Sequence, residues 1–326
     1  MKQHKQRNLG LDLVRATEAA AINAGRFMGL GERDQADEVA KQAMRAVLDT
    51  LEIDGLIVVG EEGKLDAPSL LDSGQTVGTG DGPAMDVVVD PIDGRRLLAQ
   101  GQSGAIAVAA IAPREAMWSA APAVYMQKIV VDREVAGKLV PETMDAPAAW
   151  TLSLIADVKG KEVRDLIVFV LDRPRHRELI EEIRAVDARV MLRTDGDIAG
   201  ALLAATGKVD VLMGIGGVAE GVIAAGAVKS LGGTMLGRLS PQSDEEQAAV
   251  NTAGLDLEQV LTCDDIVSSN EVFFAATGIT DGPLLDGVRY RGNWAETHSI
   301  ILRCETQARR FTVAEHVIDW APTPHS

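Results

Sequence analysis

Apolar residues recur at helical spacing twice before any strand pattern begins. Residues 11–28 are Ala-rich and predict a helix. Residues 34–52 predict a clearer amphipathic helix, with Ala36, Ala40, Ala43, Val47 and Leu51 along one face. Short apolar runs then predict buried strands at 55–60 (GLIVVG), 85–90 (MDVVVD) and 104–112 (GAIAVAAIA). From residue 165 the two patterns alternate. Strands are predicted at 165–172, 188–193 and 209–214, each followed by a helix, at 175–187, 197–207 and 219–233. Such alternation predicts an α/β fold whose second half holds a parallel, helix-covered sheet, with a ligand at the C-terminal ends of its strands. Residues 241–262 are polar and predict a helical excursion. Residues 271–280 and 298–305 predict two further strands in a hairpin or meander. The boundary between the halves is expected near 130–165.

Composition narrows the functional classes. The chain has 326 residues, enough for two packed units, and 46% of them are hydrophobic, enough for a large core. Aromatics are only 3%, so that core must be built from Ala, Val, Leu and Ile. A formal charge of −16 repels nucleic acid and anionic membranes, so neither is an expected partner. An anionic ligand would need local cations, helix N-termini or metal ions. Cys263 and Cys304 form no CxxC pair and read as ordinary reduced thiols. The start MKQHKQRNLG has no apolar core of a signal peptide, and no long uninterrupted apolar run follows, which predicts a soluble cytoplasmic protein.

Carboxylates collect where strands end. Glu61 and Glu62 follow LIVVG, Asp90 and Asp93 follow MDVVV, and Glu220 opens the helix after VDVLMGIGG. Brought together they would repel one another. Mg²⁺ or Mn²⁺ would relieve this, since both favour carboxylate and backbone oxygens; the Ile92 carbonyl is a further candidate ligand. An isolated DPxDG is equally a plain turn. Cations follow the second set of strands, in RPRH (173–176). GIGG (214–217) leads into a helix N-terminus whose free amides favour a phosphate, or is a packing loop. Asp195 and Asp197 are candidates to accept hydrogen bonds from sugar hydroxyls; Asp197 is equally placed to cap a helix.

Taken in order, GTGDGPAMDVVVDPIDGRR, VYMQK, RPRH, DGD, GIGGVAEGV and FFAATGIT resemble the class II fructose-1,6-bisphosphatase family, within the lithium-sensitive, metal-dependent sugar phosphatases, over roughly residues 10–310. The resemblance implies a five-layered α/β/α/β/α fold of two packed subdomains. The first, 1–150, would be a metal-binding α+β unit. The second, 151–326, would be an α/β unit binding the sugar phosphate, with the final strands free to return to the first sheet. It implies a homo-oligomer, dimer or tetramer, and Mg²⁺- or Mn²⁺-dependent hydrolysis of fructose 1,6-bisphosphate. Glu61, Asp90, Asp93 and Glu220 fall on metal-ligand positions, with Glu61 and Asp90 also catalytic. Tyr125, Arg175, Asp195 and Asp197 fall on substrate positions, and Gly216 and Gly217 on the phosphate loop.

The departures from the family pattern are specific. GLGERDQ places Glu32 where the family has a metal-binding Asp, and Arg33 where it has Lys. DPIDG stands for DPIEG. Arg95 occupies the position of a threonine that orients the attacking water. A guanidinium cannot take a proton from water, although it can hold phosphate or pair with Glu61 or Glu62. Three readings follow: a phosphatase slowed by Arg95, a diverged enzyme acting on another ketose phosphate or by other chemistry, and a catalytically silent sugar-phosphate binder.

Overall fold

A computed structural model describes residues 9–61, 69–119 and 121–318. The chain opens with α1 (Leu9–Gly25) and α2 (Arg33–Leu48). Next come β1 (Asp54–Val59), β2 (Thr76–Val77), β3 (Ala84–Asp93), the short α3 (Arg95–Ala99) and β4 (Ile106–Pro113). The middle of the chain supplies β5 (Tyr125–Val131), α4 (Ala148–Lys159), β6 (Ile167–Leu171), α5 (Arg177–Ala185), β7 (Arg189–Arg193) and α6 (Asp197–Ala205). It continues with β8 (Val211–Gly217), α7 (Val218–Ser230), β9 (Thr234–Leu239), α8 (Asp244–Thr252), β10 (Leu261–Thr262) and α9 (Cys263–Ile266). The chain closes with β11 (Phe273–Gly278), β12 (Arg289–Arg291), β13 (Trp294–Arg303) and β14 (Ala308–Val317).

This is an α/β fold built on two mixed sheets. The first runs β12-β13-β11-β4-β3-β1-β2, with β14 also paired to β13; the second runs β10-β9-β5-β8-β6-β7. Side-chain alternation sorts the strands into three apolar layers. Val87, Val89 and Ile111 of the first sheet pack under Leu13, Ala40 and Met44 of α1 and α2. Val88, Ala110 and Phe274, on the opposite face, meet Leu202 of α6 and Val222 of α7, which also cover Met126 and Phe169 of the second sheet. The far face of that sheet, with Ile129, Val168 and Met213, is closed by Leu152 and Ile155 of α4 and Ile183 of α5. Helix pair, sheet, helix pair, sheet and helix pair make five layers.

The second sheet is not wholly parallel as the alternation predicts. β7, β6 and β8 run parallel, but β5 pairs antiparallel with both β8 and β9. YMQKIVV mixes polar and apolar residues, so β5 carries no run for the pattern to detect. The polar excursion is helical only over Asp244–Thr252. The strands of residues 273–317 lie in the first sheet. The buried face of α2 is Ala36, Asp37, Ala40, Lys41, Met44 and Leu48, turned from the expected apolar face; Ala43 and Val47 are only half-buried.

Candidate active site

β3 ends in an irregularity that aims its carboxylates. Its register against β4 shifts between Asp90 and Asp93, so Pro91 and Ile92 form a bulge; proline has no ladder hydrogen to lose there. The Ile92 amide donates to Asp90 Oδ1 at 3.1 Å. Gly94, at φ 95°, then turns the chain into α3, a conformation that disfavours a side chain. Asp93 reaches across to the second half of the molecule, where its Oδ2 accepts from the Ala199 amide in the first turn of α6 at 2.8 Å. Burial pushes the Asp93 carboxyl well above its ordinary value, and the charge of Asp90 adds to this; the Ala199 amide works against it.

A cleft of about 650 Å³ opens between the two sheets. Tyr125, Arg175, Asp195, Asp197, Gly216 and Gly217 all line it, and so do Asp93 and Glu220. Arg173 of RPRH joins them, and so does Arg96, to which the sequence analysis gives no role. Arg175 donates from Nε and Nη2 to the Ile215 carbonyl at 3.1 and 2.8 Å, and its guanidinium stacks 4.9 Å from the Tyr125 ring centre. Beneath it, His176 Nε2 accepts from the Ile215 amide at 2.7 Å while Nδ1 contacts the Leu171 carbonyl at 2.6 Å. The first contact requires an unprotonated Nε2 and the second an Nδ1 hydrogen, so the ring is neutral. Burial holds His176 below the usual histidine value.

Asp197 is held by the buried Lys128, whose Nζ also donates to the Gly217 carbonyl at 2.9 Å. Lys128 lies within the VYMQK stretch, where nothing in the sequence marks it as a partner of Asp197. Asp195 accepts from the Arg96 amide at 3.1 Å and pairs with Arg173 at 3.7 Å. The glycines of GIGG have a steric reason. A methyl on Gly216 would lie 2.0 Å from Asp197 Oδ2, and one on Gly217 1.7 Å from Glu220 Oε2.

Glu61 belongs to a different group. It is 1% exposed, and its Oε2 lies 3.6 Å from Lys41 Nζ and 3.5 Å from Arg95 Nη2. Asp37, one turn before Lys41 on α2, completes the set, at 2.5 Å from Lys41 Nζ and 3.3 Å from Arg95 Nη1. Burial alone would lower Arg95, but the charges of Glu61, Asp90, Asp37 and Glu220 outweigh it and raise the guanidinium above its ordinary value. Glu32 is exposed at the start of α2 and caps nothing with its side chain. Glu62 lies outside the described residues.

Residues 7–316 match the family described as bacterial fructose-1,6-bisphosphatase, glpX-encoded. A fructose-1,6-bisphosphatase class 2 of Haemophilus influenzae is 39% identical, over 96% of this chain and 97% of its own length. Fructose-1,6-bisphosphatase 1 class 2 of Escherichia coli K12 is 36% identical, over 96% of both chains. The chain belongs to the class II fructose-1,6-bisphosphatase family. Among the described residues, no three His, Cys, Asp or Glu side chains stand as a group able to hold a metal ion. Glu61 faces fixed cations, whereas Asp93 and Glu220 face the cleft. The residues present therefore do not fit a metal centre that includes Glu61. No helix among the described residues is long and apolar enough to cross a membrane.

Proposed function

We propose that this protein is a phosphoric monoester hydrolase acting on fructose 1,6-bisphosphate or a closely similar ketose bisphosphate. The observation that carries this reading is the cleft that gathers Arg96, Arg173 and Arg175 together with Asp93, Asp195, Asp197 and Glu220. Arg175, with Arg173 near it, offers guanidinium hydrogens to a phosphate, the geometry in which arginine excels. Asp195 and Asp197 are the acceptors for sugar hydroxyls, and Tyr125 stiffens Arg175 from below. Gly216 and Gly217, at the end of β8, keep the cleft backbone bare where a side chain would meet Asp197 or Glu220. Family membership supports the same substrate class. So does the near-complete overlap with the two class 2 relatives.

The scissile phosphate belongs at the carboxylate side, beside Asp93 and Glu220, with Asp90 behind them. Among the described residues, salt bridges engage Asp195 and Asp197 but neither Asp93 nor Glu220. Mg²⁺ or Mn²⁺ would be held by these two. Arg95 carries no base, and Asp37 is paired to it and to Lys41. A hydroxyl that could orient the attacking water is therefore missing from this corner, and turnover is slow. Asp93 enters this corner from β3 and Glu220 from α7. A cytoplasmic homo-oligomer accords with the reading.

The test is phosphate release from a panel of ketose mono- and bisphosphates, with and without Mg²⁺ or Mn²⁺. Slow release from fructose 1,6-bisphosphate by the wild type is expected. Arg95→Thr, alone or with Glu32→Asp, should gain at least about tenfold, a modest share of what positioned proton transfer contributes. Brisk wild-type turnover, with loss in Arg95→Thr, would show that Arg95 serves catalysis. Tight binding without turnover in every variant would establish a silent binder.

A further inference from the structure

Lys41 is the least expected side chain in the molecule. It lies on the inner face of α2, 2% exposed, on a helix whose remaining buried positions are apolar or small apart from Asp37. Lysine is almost never buried this deeply unless it is paired. Its partners are Asp37, four residues earlier, and Glu61 at the end of β1. Arg95 touches the same two carboxylates from the start of α3. Two anions thus face two cations contributed by three separate elements.

Neither cation is adventitious. Arg95 is fixed by its position directly after Gly94, and its side chain is only 15% exposed. Lys41 is fixed by the helix, with its ammonium buried. Removing either would strand buried carboxylate charge, which is strongly unfavourable. A divalent ion placed on Glu61 would in turn meet two unit positive charges within about 4 Å of its ligand, a strong repulsion in a poorly solvated site.

We infer that Lys41 and Arg95 are resident counter-cations which neutralise the Asp37–Glu61 pair and exclude a divalent ion from Glu61. The carboxylates at this corner are held together by the chain itself. Any ion that the protein does take binds through the cleft carboxylates alone. This inference goes beyond the proposed activity and stands whether or not the protein hydrolyses a sugar phosphate.

The experiment counts Mn²⁺ bound to the full-length protein by electron paramagnetic resonance titration, with no substrate present. Wild type and Glu61→Gln should bind the same number of ions with the same affinity, because Glu61 ligates none. Lys41→Met combined with Arg95→Thr uncovers both carboxylates. It should gain an ion, or tighten Mn²⁺ at least about tenfold, which is below what two removed neighbouring charges permit. Adding Glu61→Gln to that background should abolish the gain. An ion lost from the wild type on Glu61→Gln would overturn the inference, as would a folded double variant with unchanged Mn²⁺ binding. Should the double variant fail to fold, the comparison of wild type with Glu61→Gln decides alone. Phosphate release plays no part in these readouts, so they fail or succeed independently of the proposed activity.

Discussion

Arg175 and His176 show how adjacent residues divide a task. Arg175 faces the cleft, and His176 locks the backbone of β8 on which Arg175 leans. Arg175→Ala should weaken a ketose bisphosphate by about tenfold or more while sparing a monophosphate bound at the carboxylate side, since charged hydrogen bonds contribute about 1.5–3 kcal/mol. Calorimetric titration of both ligands checks this, and equal losses would make Arg175 purely structural. His176 is held neutral, so the folded protein binds fewer protons there than the unfolded chain does. Stability contributed by this ring is present above the ordinary histidine value and is lost as pH falls below about 6.5. Melting temperatures between about pH 7.5 and pH 5.5 should drop for the wild type and drop less for His176→Gln. His316, also held down by burial, keeps part of the slope. At this scale the sequence shows residue types better than their partners. The order RPRH, DGD, GIGG is enough to suggest one ligand site, and Arg175, Asp195, Asp197, Gly216 and Gly217 do share one cleft. Lys41 was not legible, because a lysine in an amphipathic pattern reads as solvent-facing. Only the approach of β1 and α3 reveals the carboxylate and the arginine that bury it. Glu61 was legible as a strand-end acid, but its direction was not.

Elements were legible where one period dominated. α1, α2, β3, β4 and the alternating run from β6 to α7 announce themselves through apolar spacing. β5, β9, β14 and α4 do not. YMQKIVV and TMLGRL are short and interrupted, and β14 has a polar and a half-exposed face. Without β5 and β9, the second sheet reads as parallel. The pairing of β5 with β8 also sets the site, because it places Tyr125 opposite Gly217 and Met126 opposite Gly216. That strand pair leaves no room at Gly216, where an added methyl meets both Asp197 and Lys128. Gly216→Ala should cost about 1–3 kcal/mol, the usual range for overpacking, and should displace Asp197 from the ligand. Urea denaturation measures the first effect and ligand titration the second. Gly137→Ala, which meets nothing within 4 Å, is the matched control and should change stability by less than about 0.5 kcal/mol.

The whole molecule is two sheets joined through a shared helical layer, and the chain visits the first sheet, then the second, then returns. Because α6 and α7 are packed from both sides, neither sheet has a complete core without them. The five-layered α/β expectation therefore describes one cooperative body, and its connectivity was only partly visible because the returning β11 is separated from its partner β4 by some 170 residues, as Thr277 is from Ala107. One contact ties the two sheets at the cleft itself. The Asp93 carboxylate, from the bulge that ends β3, is the acceptor for the Ala199 amide at the start of α6. That amide hydrogen is thus a natural spectroscopic reporter. Its chemical shift registers the charge and position of a carboxylate in the cleft, although Ala199 itself belongs to the far side of the junction. In a two-dimensional amide spectrum, adding fructose 1,6-bisphosphate should move the Ala199 resonance and leave that of Val168, buried on the distant face of the second sheet, in place. A still Ala199 peak at saturating ligand would mean that nothing binds beside Asp93. A moving one gives a reading of cleft occupancy that needs no turnover.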